Sequence, residues 1–321
     1  MASDNIKGLF TVPVRLTGNM IEFTDGKVIL EDNQSQTKEV FSDKWNEVEK
    51  FEGVENFYRS QREWFLTLYG FSDEKELAAS LAAKDVIVDT GCGLGYKAAW
   101  LAGLAPHAVV IGIDISDSVE QAARNYASMP NLYFLRADIA DTRLKTGTVD
   151  FCVCDQVIMH TESPEKTFRH LAEITSDSGE FLCYVYSKKA LPRELLDDYF
   201  RKATHNIPQE EMWEFSEQLT QLGRNLSELK INVDVPDIPL LGIKGGKYDI
   251  QRFVYWNFLK CFWREDWGFD VCKSTNYDWY APSNARRFSK EEFLELIRNN
   301  GLSIEYFYEE NACYTGRFSK K

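Results

Sequence analysis

Positive charge is the first thing this 321-residue chain is short of: 37 Lys and Arg stand against 50 Asp and Glu, a net charge of −13 with histidine neutral. So acidic a chain repels polyanions at long range, which argues against nucleic acid or an anionic membrane as a partner. No apolar run reaches the ~20 residues that a membrane-spanning helix needs. No basic start followed by an apolar stretch marks a secretory signal, so a cytoplasmic location is expected. Cysteines number seven, an odd count scattered through apolar segments, which fits a reducing compartment rather than a disulfide framework. Cys152 and Cys154 are one residue apart and the first 60 residues hold no cysteine, so no zinc ribbon and no metal site are expected. Histidine is scarce too, four in all, which narrows the choice of an acid or base at neutral pH. Internal repeats and low-complexity segments are also missing.

What is present begins at residues 86–95, V-I-V-D-T-G-C-G-L-G, an apolar run that closes on Asp89 and opens into Gly91, Gly93 and Gly95. It reads as a strand turning tightly into a helix, where glycines supply positive φ or let a ligand approach bare backbone, and the helix start offers unpaired N–H groups. A second buried-strand run, 109–114, ends on Asp114 about 20 residues further on, the place where a carboxylate accepts ribose hydroxyls. A third, 132–135, leads to Asp138 and Ile139, and a fourth, 149–154, leads to Asp155 and Gln156. Ligands of an open parallel sheet bind beyond the carboxyl ends of its strands, so these four positions converge on one crevice.

Helix signals lie between the strands. Asp117 stands three residues before Glu120, a capping-box spacing, and Ser163 precedes Pro164 at a helix start. Residues 180–186 read as a fifth strand. Ser289 with Glu292 starts a late helix that ends at Gly301, followed by strands at 302–308 and 313–318. The short connection between these last two permits only antiparallel pairing.

Residues 86–186 resemble the class I S-adenosylmethionine-dependent methyltransferases of small-molecule type. V-D-T-G-C-G-L-G matches their first motif, usually V-L-D-x-G-C-G-x-G, with Thr90 where a hydrophobic residue is commoner. A dinucleotide site would read G-x-G-x-x-G, and Tyr96 stands at the place of its third glycine. The resemblance implies a doubly wound, Rossmann-like α/β fold: seven strands, mostly parallel, an antiparallel last strand, and here a helical lid inserted after the fifth strand. It implies S-adenosylmethionine as cofactor. Asp89, Gly91 and Gly93 would line its methionine end, Asp114 would hold the ribose, and Ile115 would pack on the adenine. Asp138 with the Ile139 amide would read the adenine edge, and Asp155 and Gln156 would flank the methionine and methyl. The residues by themselves support Asp114 and the glycines, and for Asp138 a turn or helix cap is the lesser alternative. After the fourth strand stands Asp155-Gln-Val-Ile, not the Asn/Asp-Pro-Pro-aromatic string of methyltransferases that modify nucleic-acid bases.

Four segments are expected: a hairpin and helical leader (1–70), the cofactor-binding core (71–186), an aromatic-rich lid (187–286) and the completion of the core sheet (287–321). In the leader, Met20 to Phe23 and residues 27–30 flank Asp25-Gly26 as a hairpin. The helices after it carry Trp45, Arg59 and Arg62, candidates to close over the cofactor. The leader looks like a Trm112-like leader lacking zinc ligands. In the lid, Leu195, Leu196 and Tyr199 mark the buried face of one helix, and Met212, Phe215, Leu219 and Leu222 that of another. Residues 250–263 form a stretch apolar on nearly every side, hence buried.

The expected activity is in-line methyl transfer to oxygen, nitrogen or carbon of a small-molecule acceptor, in a pocket that the lid closes. His160 is the candidate base, with Asp278 and Tyr280 in reserve; Trp279, Arg286 and Arg287 are candidate acceptor contacts. Large aromatics serve cores and interfaces alike, so the same residues also read as lid core or as a homodimer interface. An apolar ring and an acidic compound both suit the lid as acceptors. Two other readings stay open: a non-catalytic cofactor-binding or scaffold module, and a nicotinamide-dependent oxidoreductase, which shares the strand, glycine turn and acid.

Overall fold

The computed structural model describes residues 6–24, 32–51, 54–204 and 206–321. A hairpin comes first: β1 (Val14–Thr17) and β2 (Met20–Phe23) pair across Gly18 and Asn19, with Gly18 at φ 62°. Helices α1 (Asp32–Val48), α2 (Val54–Tyr69) and α3 (Glu74–Leu81) follow, the last capped by the Asp73 carboxylate. Strands and helices then alternate through β3 (Val86–Thr90), α4 (Tyr96–Leu104), β4 (Val109–Asp114), α5 (Ser118–Asn125) and β5 (Leu132–Arg136). The run ends with β6 (Val149–Cys154), α6 (Pro164–Ile174) and β7 (Thr175–Ser187). The chain then departs through α7 (Leu191–Thr204), α8 (Gln209–Glu228), the hairpin β8 (Asn232–Val235) and β9 (Gly246–Asp249), α9 (Ile250–Asn257) and α10 (Gly268–Tyr280). It returns through β10 (Arg287–Phe288), α11 (Lys290–Asn299), β11 (Leu302–Glu309) and β12 (Cys313–Lys320).

The main sheet runs β1-β2-β5-β4-β3-β6-β7-β12-β11, with β10 beside β7. Strands β5, β4, β3, β6 and β7 are parallel, and β12 is antiparallel to both β7 and β11. This is the doubly wound, mostly parallel sheet with an antiparallel last strand that the sequence predicts, widened by the leader hairpin and by β10. Alternation explains why its strands are apolar throughout. Val88, Cys152, Phe181 and Cys183 enter one core, while their neighbours Ile87, Phe151, Val153 and Leu182 enter the other. Side chains of consecutive strand residues point to opposite faces, so a sheet covered on both sides needs an apolar residue at every step. Phe168, Phe181, Phe293 and Phe318 meet edge to face or tilted in the first of these cores. A fully buried Phe contributes roughly 1.5–3 kcal/mol.

Several expectations need correction. Asp117 does not cap α5: its backbone is already helical and its side chain accepts no cap bond, being drawn instead to Arg136 at 2.5 Å. An ion pair has replaced the capping box. The caps at Ser163 and Ser289 do form, the latter as a complete capping box. The strand at Met20 to Phe23 exists, but its partner is β1; the turn Asp25-Gly26 and residues 27–30 lie outside the described residues. The fifth core strand begins at Thr175 rather than at residue 180, because α6 runs straight into it. Residues 250–263 are not one helix, since α9 ends at Asn257.

Contacts divide the chain into two units, Met1–Ser42 with Ser60–Ser187 and Arg286–Lys321, and Asp43–Arg59 with Lys188–Ala285. The predicted leader is therefore no unit of its own: its hairpin extends the sheet through β2 beside β5, and its residues 43–59 pack with the insertion. Within the second unit the predicted face of α7 is inverted. Arg193, Asp197 and Arg201 are buried, while Leu195 and Tyr199 are exposed. Asp197 explains this, for its carboxylate accepts from Arg193 Nε at 2.8 Å, Trp279 Nε1 at 2.9 Å and the Tyr280 hydroxyl at 2.8 Å. α8 buries Met212 and Leu219 as predicted and leaves Leu222 exposed.

Candidate active site

The glycine turn after β3 is built as its sequence requires. Gly91, Gly93 and Gly95 have φ of 75°, 52° and 80°, a region that L side chains enter only under strain. A Cβ on Gly91 would also lie 2.3 Å from Val157 Cγ2, so space and conformation both demand glycine. The Gly91 and Cys92 amides donate to the Ile113 carbonyl at 2.7 and 3.0 Å, tying the turn to β4. α4 then begins at Gly95 without a side-chain cap.

The strand ends bring the predicted acids together. Asp89 pairs in register with Gly112 of β4 and Val153 of β6, and Asp114 closes β4. Asp114 accepts the Gly93 amide at 2.7 Å on Oδ2, and the Ser116 amide and hydroxyl at 2.8 and 2.6 Å on Oδ1. Burial raises its carboxyl, against the pull of those donors. Asp89 is 1% exposed and its Oδ2 has no hydrogen-bond partner. Burial pushes its carboxyl up to about 6; Lys97 pulls it down, while Asp155 and Asp114 push it further up. Asp155 is buried and held at both oxygens, by the Tyr69 hydroxyl at 3.0 Å on Oδ1 and by Lys97 Nζ on Oδ2. Gln156, at φ 65°, turns its amide toward Asp155 Oδ2 at 3.2 Å and Gln61 Oε1 at 3.0 Å. Ile115 is half-buried beside Asp114.

Asp138 follows β5 and accepts the Ala140 amide at 2.9 Å, so the turn-capping role that its sequence allowed is filled. Burial raises its carboxyl as well. The Ile139 side chain belongs to the core. His160 lies on a short 3-10 turn, Ile158–His160, past the end of β6. Its buried ring meets Phe41 at 5.1 Å and Tyr186 at 5.6 Å between centroids, and Nε2 is 3.4 Å from the Tyr186 hydroxyl. Arg287 pairs in register with Tyr186 and so joins this edge, whereas Arg286 is exposed and ion-paired with Glu165.

The remaining candidates lie in the second unit. Asp278 is bound to Lys44 at 2.6 Å. Tyr280 and Trp279 are buried with their polar atoms committed to Asp197, and burial together with that carboxylate holds the Tyr280 phenol well above its usual range. A phenol so placed is no base at neutral pH.

Four residues at the first unit's site were not found by sequence reasoning: Lys97, Tyr69, Gln61 and Tyr186. One signal was readable, a single lysine in α4, YKAAWLAGL, whose other residues are apolar or small. Burial alone would lower the Lys97 ammonium, but Asp155, Tyr96 and Asp89 raise it, and the net direction is up.

A family model described as a methyltransferase domain matches residues 88–183. The ubiquinone biosynthesis O-methyltransferase of Coxiella burnetii is 26% identical over 191 residues, 56% of this chain and 77% of that protein. Among solved structures, the magnesium protoporphyrin IX methyltransferase from Synechocystis PCC 6803 with bound S-adenosylhomocysteine aligns at 14% identity and a TM-score of 0.47, covering 90% of this chain and 100% of that one. PKMT2 from Rickettsia typhi aligns at 14% identity and a TM-score of 0.49, covering 74% and 49%. A methyltransferase domain at residues 88–183, together with the O-methyltransferase relative, supports a class I S-adenosylmethionine-dependent methyltransferase.

Proposed function

We propose that this methyltransferase acts on the hydroxyl of a small-molecule acceptor, with His160 taking the proton. S-adenosylmethionine, when bound, supplies a methyl group activated on a sulfonium. The residues at the strand ends suit it. Asp89 Oδ2 is a buried acceptor with no donor, the glycine turn excludes side chains, and α4 starts without a side-chain cap. Asp114 Oδ1 is filled by the Ser116 amide and hydroxyl, while Oδ2 accepts the Gly93 amide and keeps a lone pair for a ribose hydroxyl. Ile115 offers an apolar face to the adenine, and Asp138 with the Ile139 amide borders its edge.

The observation that carries the acceptor reading is the His160–Tyr186 contact past the end of β6. The Tyr186 hydroxyl lies 3.4 Å from Nε2 and Phe41 packs against the ring, and these contacts orient the imidazole as the candidate base. A base is useful when the acceptor atom carries a proton, as a hydroxyl does. The similar Coxiella burnetii protein is named as an O-methyltransferase, which supports oxygen over nitrogen or carbon. The net charge of −13 favours a small acceptor over nucleic acid.

Calorimetric titration with S-adenosylhomocysteine, against NADH as comparison, tests the cofactor site: saturable binding of the first alone is expected. Turnover of His160→Ala tests the base. It should fall by about a hundredfold with S-adenosylhomocysteine affinity unchanged, and full activity would leave His160 a packing residue.

A further inference from the structure

Asp89 and Asp155 end adjacent strands, and one ammonium stands between their needs. Lys97 is the second residue of α4, 8% exposed, and its Nζ donates to Asp155 Oδ2. With Tyr69 on Oδ1 and Gln156 also on Oδ2, Asp155 is oriented and charge-compensated. Asp89 is left with a bare oxygen. Two buried carboxylates share one cation, and Asp114 adds a third that is met only by neutral donors, the Gly93 amide and Ser116. Negative charge is therefore in excess where the glycine turn opens. Buried charge without a counter-charge is costly, and a ligand that brings a fixed positive charge relieves it.

We propose that Lys97 is a positioning residue: by engaging Asp155 it leaves Asp89 with a buried unpaired oxygen beside Asp114, and this excess of negative charge selects the cationic methyl donor over its demethylated product. This rests on the assignment of S-adenosylmethionine to the glycine turn. Donor and product share their amino-acid and nucleoside ends and differ in charge only at sulfur, a sulfonium before transfer and a neutral thioether after it. The ratio of their affinities therefore reads the charge at sulfur, and its dependence on Asp89 is read from Asp89→Asn.

That ratio depends on pH with a definite sign. The groups facing Asp89 are Lys97 and the Ala98 amide from α4, Asp114 from the end of β4, Asp155 past β6, Cys152 within β6 and Cys92 in the turn. Burial pushes both thiols well up, so they stay neutral. Burial likewise raises Asp89 to about 6, with Lys97 the one group that opposes it by charge. Above that pH Asp89 is a carboxylate and the donor is favoured; below it the group is a neutral acid and the preference fades. Donor binding should expel more of the Asp89 proton than product binding does, because both bring the α-ammonium and only the donor brings the sulfonium.

The test is calorimetric titration of the whole chain with S-adenosylmethionine and with S-adenosylhomocysteine between pH 5 and 8.5. In the unmodified protein the preference for the donor should climb as pH rises through about 6, by up to about tenfold per unit. Lys97→Met should move that midpoint upward by about one unit or more, and Lys97→Arg should restore it. Asp89→Asn should give a flat profile. A Lys97→Met midpoint that stays in place while only the melting temperature drops would make Lys97 merely structural and overturn the proposal. Should Lys97→Met fail to fold, Asp89→Asn decides: a profile that still bends near pH 6 overturns it. An unmodified protein that binds both ligands equally at every pH keeps the cofactor site and refutes the role of Lys97. Binding neither ligand refutes the cofactor site itself.

Discussion

Each unit buries a carboxylate at the centre of its polar groups, Asp89 in the first and Asp197 in the second. Asp197 is saturated, receiving a guanidinium, an indole and a phenol. Asp89 has an oxygen that receives nothing. A carboxylate whose lone pairs are filled by its own chain serves the fold, whereas one left short at a strand end costs stability until a ligand completes it. The contrast separates a candidate-site edge from a structural hub without reference to residue type, since both residues are aspartates.

The largest effect should come from the hub. Asp197→Ala strands the buried Arg193 guanidinium, so a loss of about 3–5 kcal/mol is expected, read from the urea midpoint. A loss below ~1 kcal/mol, the range of a surface pair, would mean that the network is not what orients α7. Next comes Lys260, buried with its ammonium 4.4 Å from the Trp279 ring, where burial lowers it to about 7 while Asp278 pulls the other way. The unfolded chain titrates this group at its ordinary value of 10.5. Between those values the unfolded state binds more protons, so stability rises with pH from about 7 toward 10.5, and the penalty is complete at and below 7. Lys260→Met should thus stabilise the protein by on the order of a few kcal/mol at pH 7. The gain should vanish near pH 10.5, where both forms are neutral. A gain independent of pH would point to packing alone.

At the other pole, Asp114→Ala should weaken S-adenosylhomocysteine binding by about ten- to a hundredfold, the worth of hydrogen bonds to a charged group. The circular dichroism spectrum should be unchanged. Unaltered affinity would remove Asp114 from the ribose and leave it a staple for the Gly93 amide. This prediction is smaller than the hub's because only a ligand's hydrogen bonds are at stake.

How much of this was legible follows from where each signal resides. The candidate acids were readable as strand ends because strand, turn and acid succeed one another closely, so local spacing alone puts Asp89, Gly91 and Asp114 at the carboxyl edge of the sheet. Lys97 and Tyr69 were not, because their meaning lies in Asp155, 58 and 86 residues away in the chain. Asp117 misled for a related reason: the spacing to Glu120 was right for a cap, but Arg136, from the next strand, claims the carboxylate. Tertiary partners override local chemistry wherever an ion pair competes with a cap.

The second unit shows the same limit in its sharpest form, within one helix. Leu195 and Tyr199 recur at helical spacing, and so do Arg193, Asp197 and Arg201, four residues apart. Periodicity is equal for the two stripes and cannot say which faces inward; the usual preference for apolar burial selects the wrong one. Leu195 and Tyr199 are 64% and 73% exposed. Leu195→Ser and Tyr199→Ser should therefore change stability by no more than about 0.5 kcal/mol, as exposed sites do, and raise solubility if anything. A cost above about 2 kcal/mol at Leu195, the range of a buried leucine, would rotate α7 by half a turn. Asp197 would then lose Trp279 and Tyr280 together, and with them the contrast to Asp89.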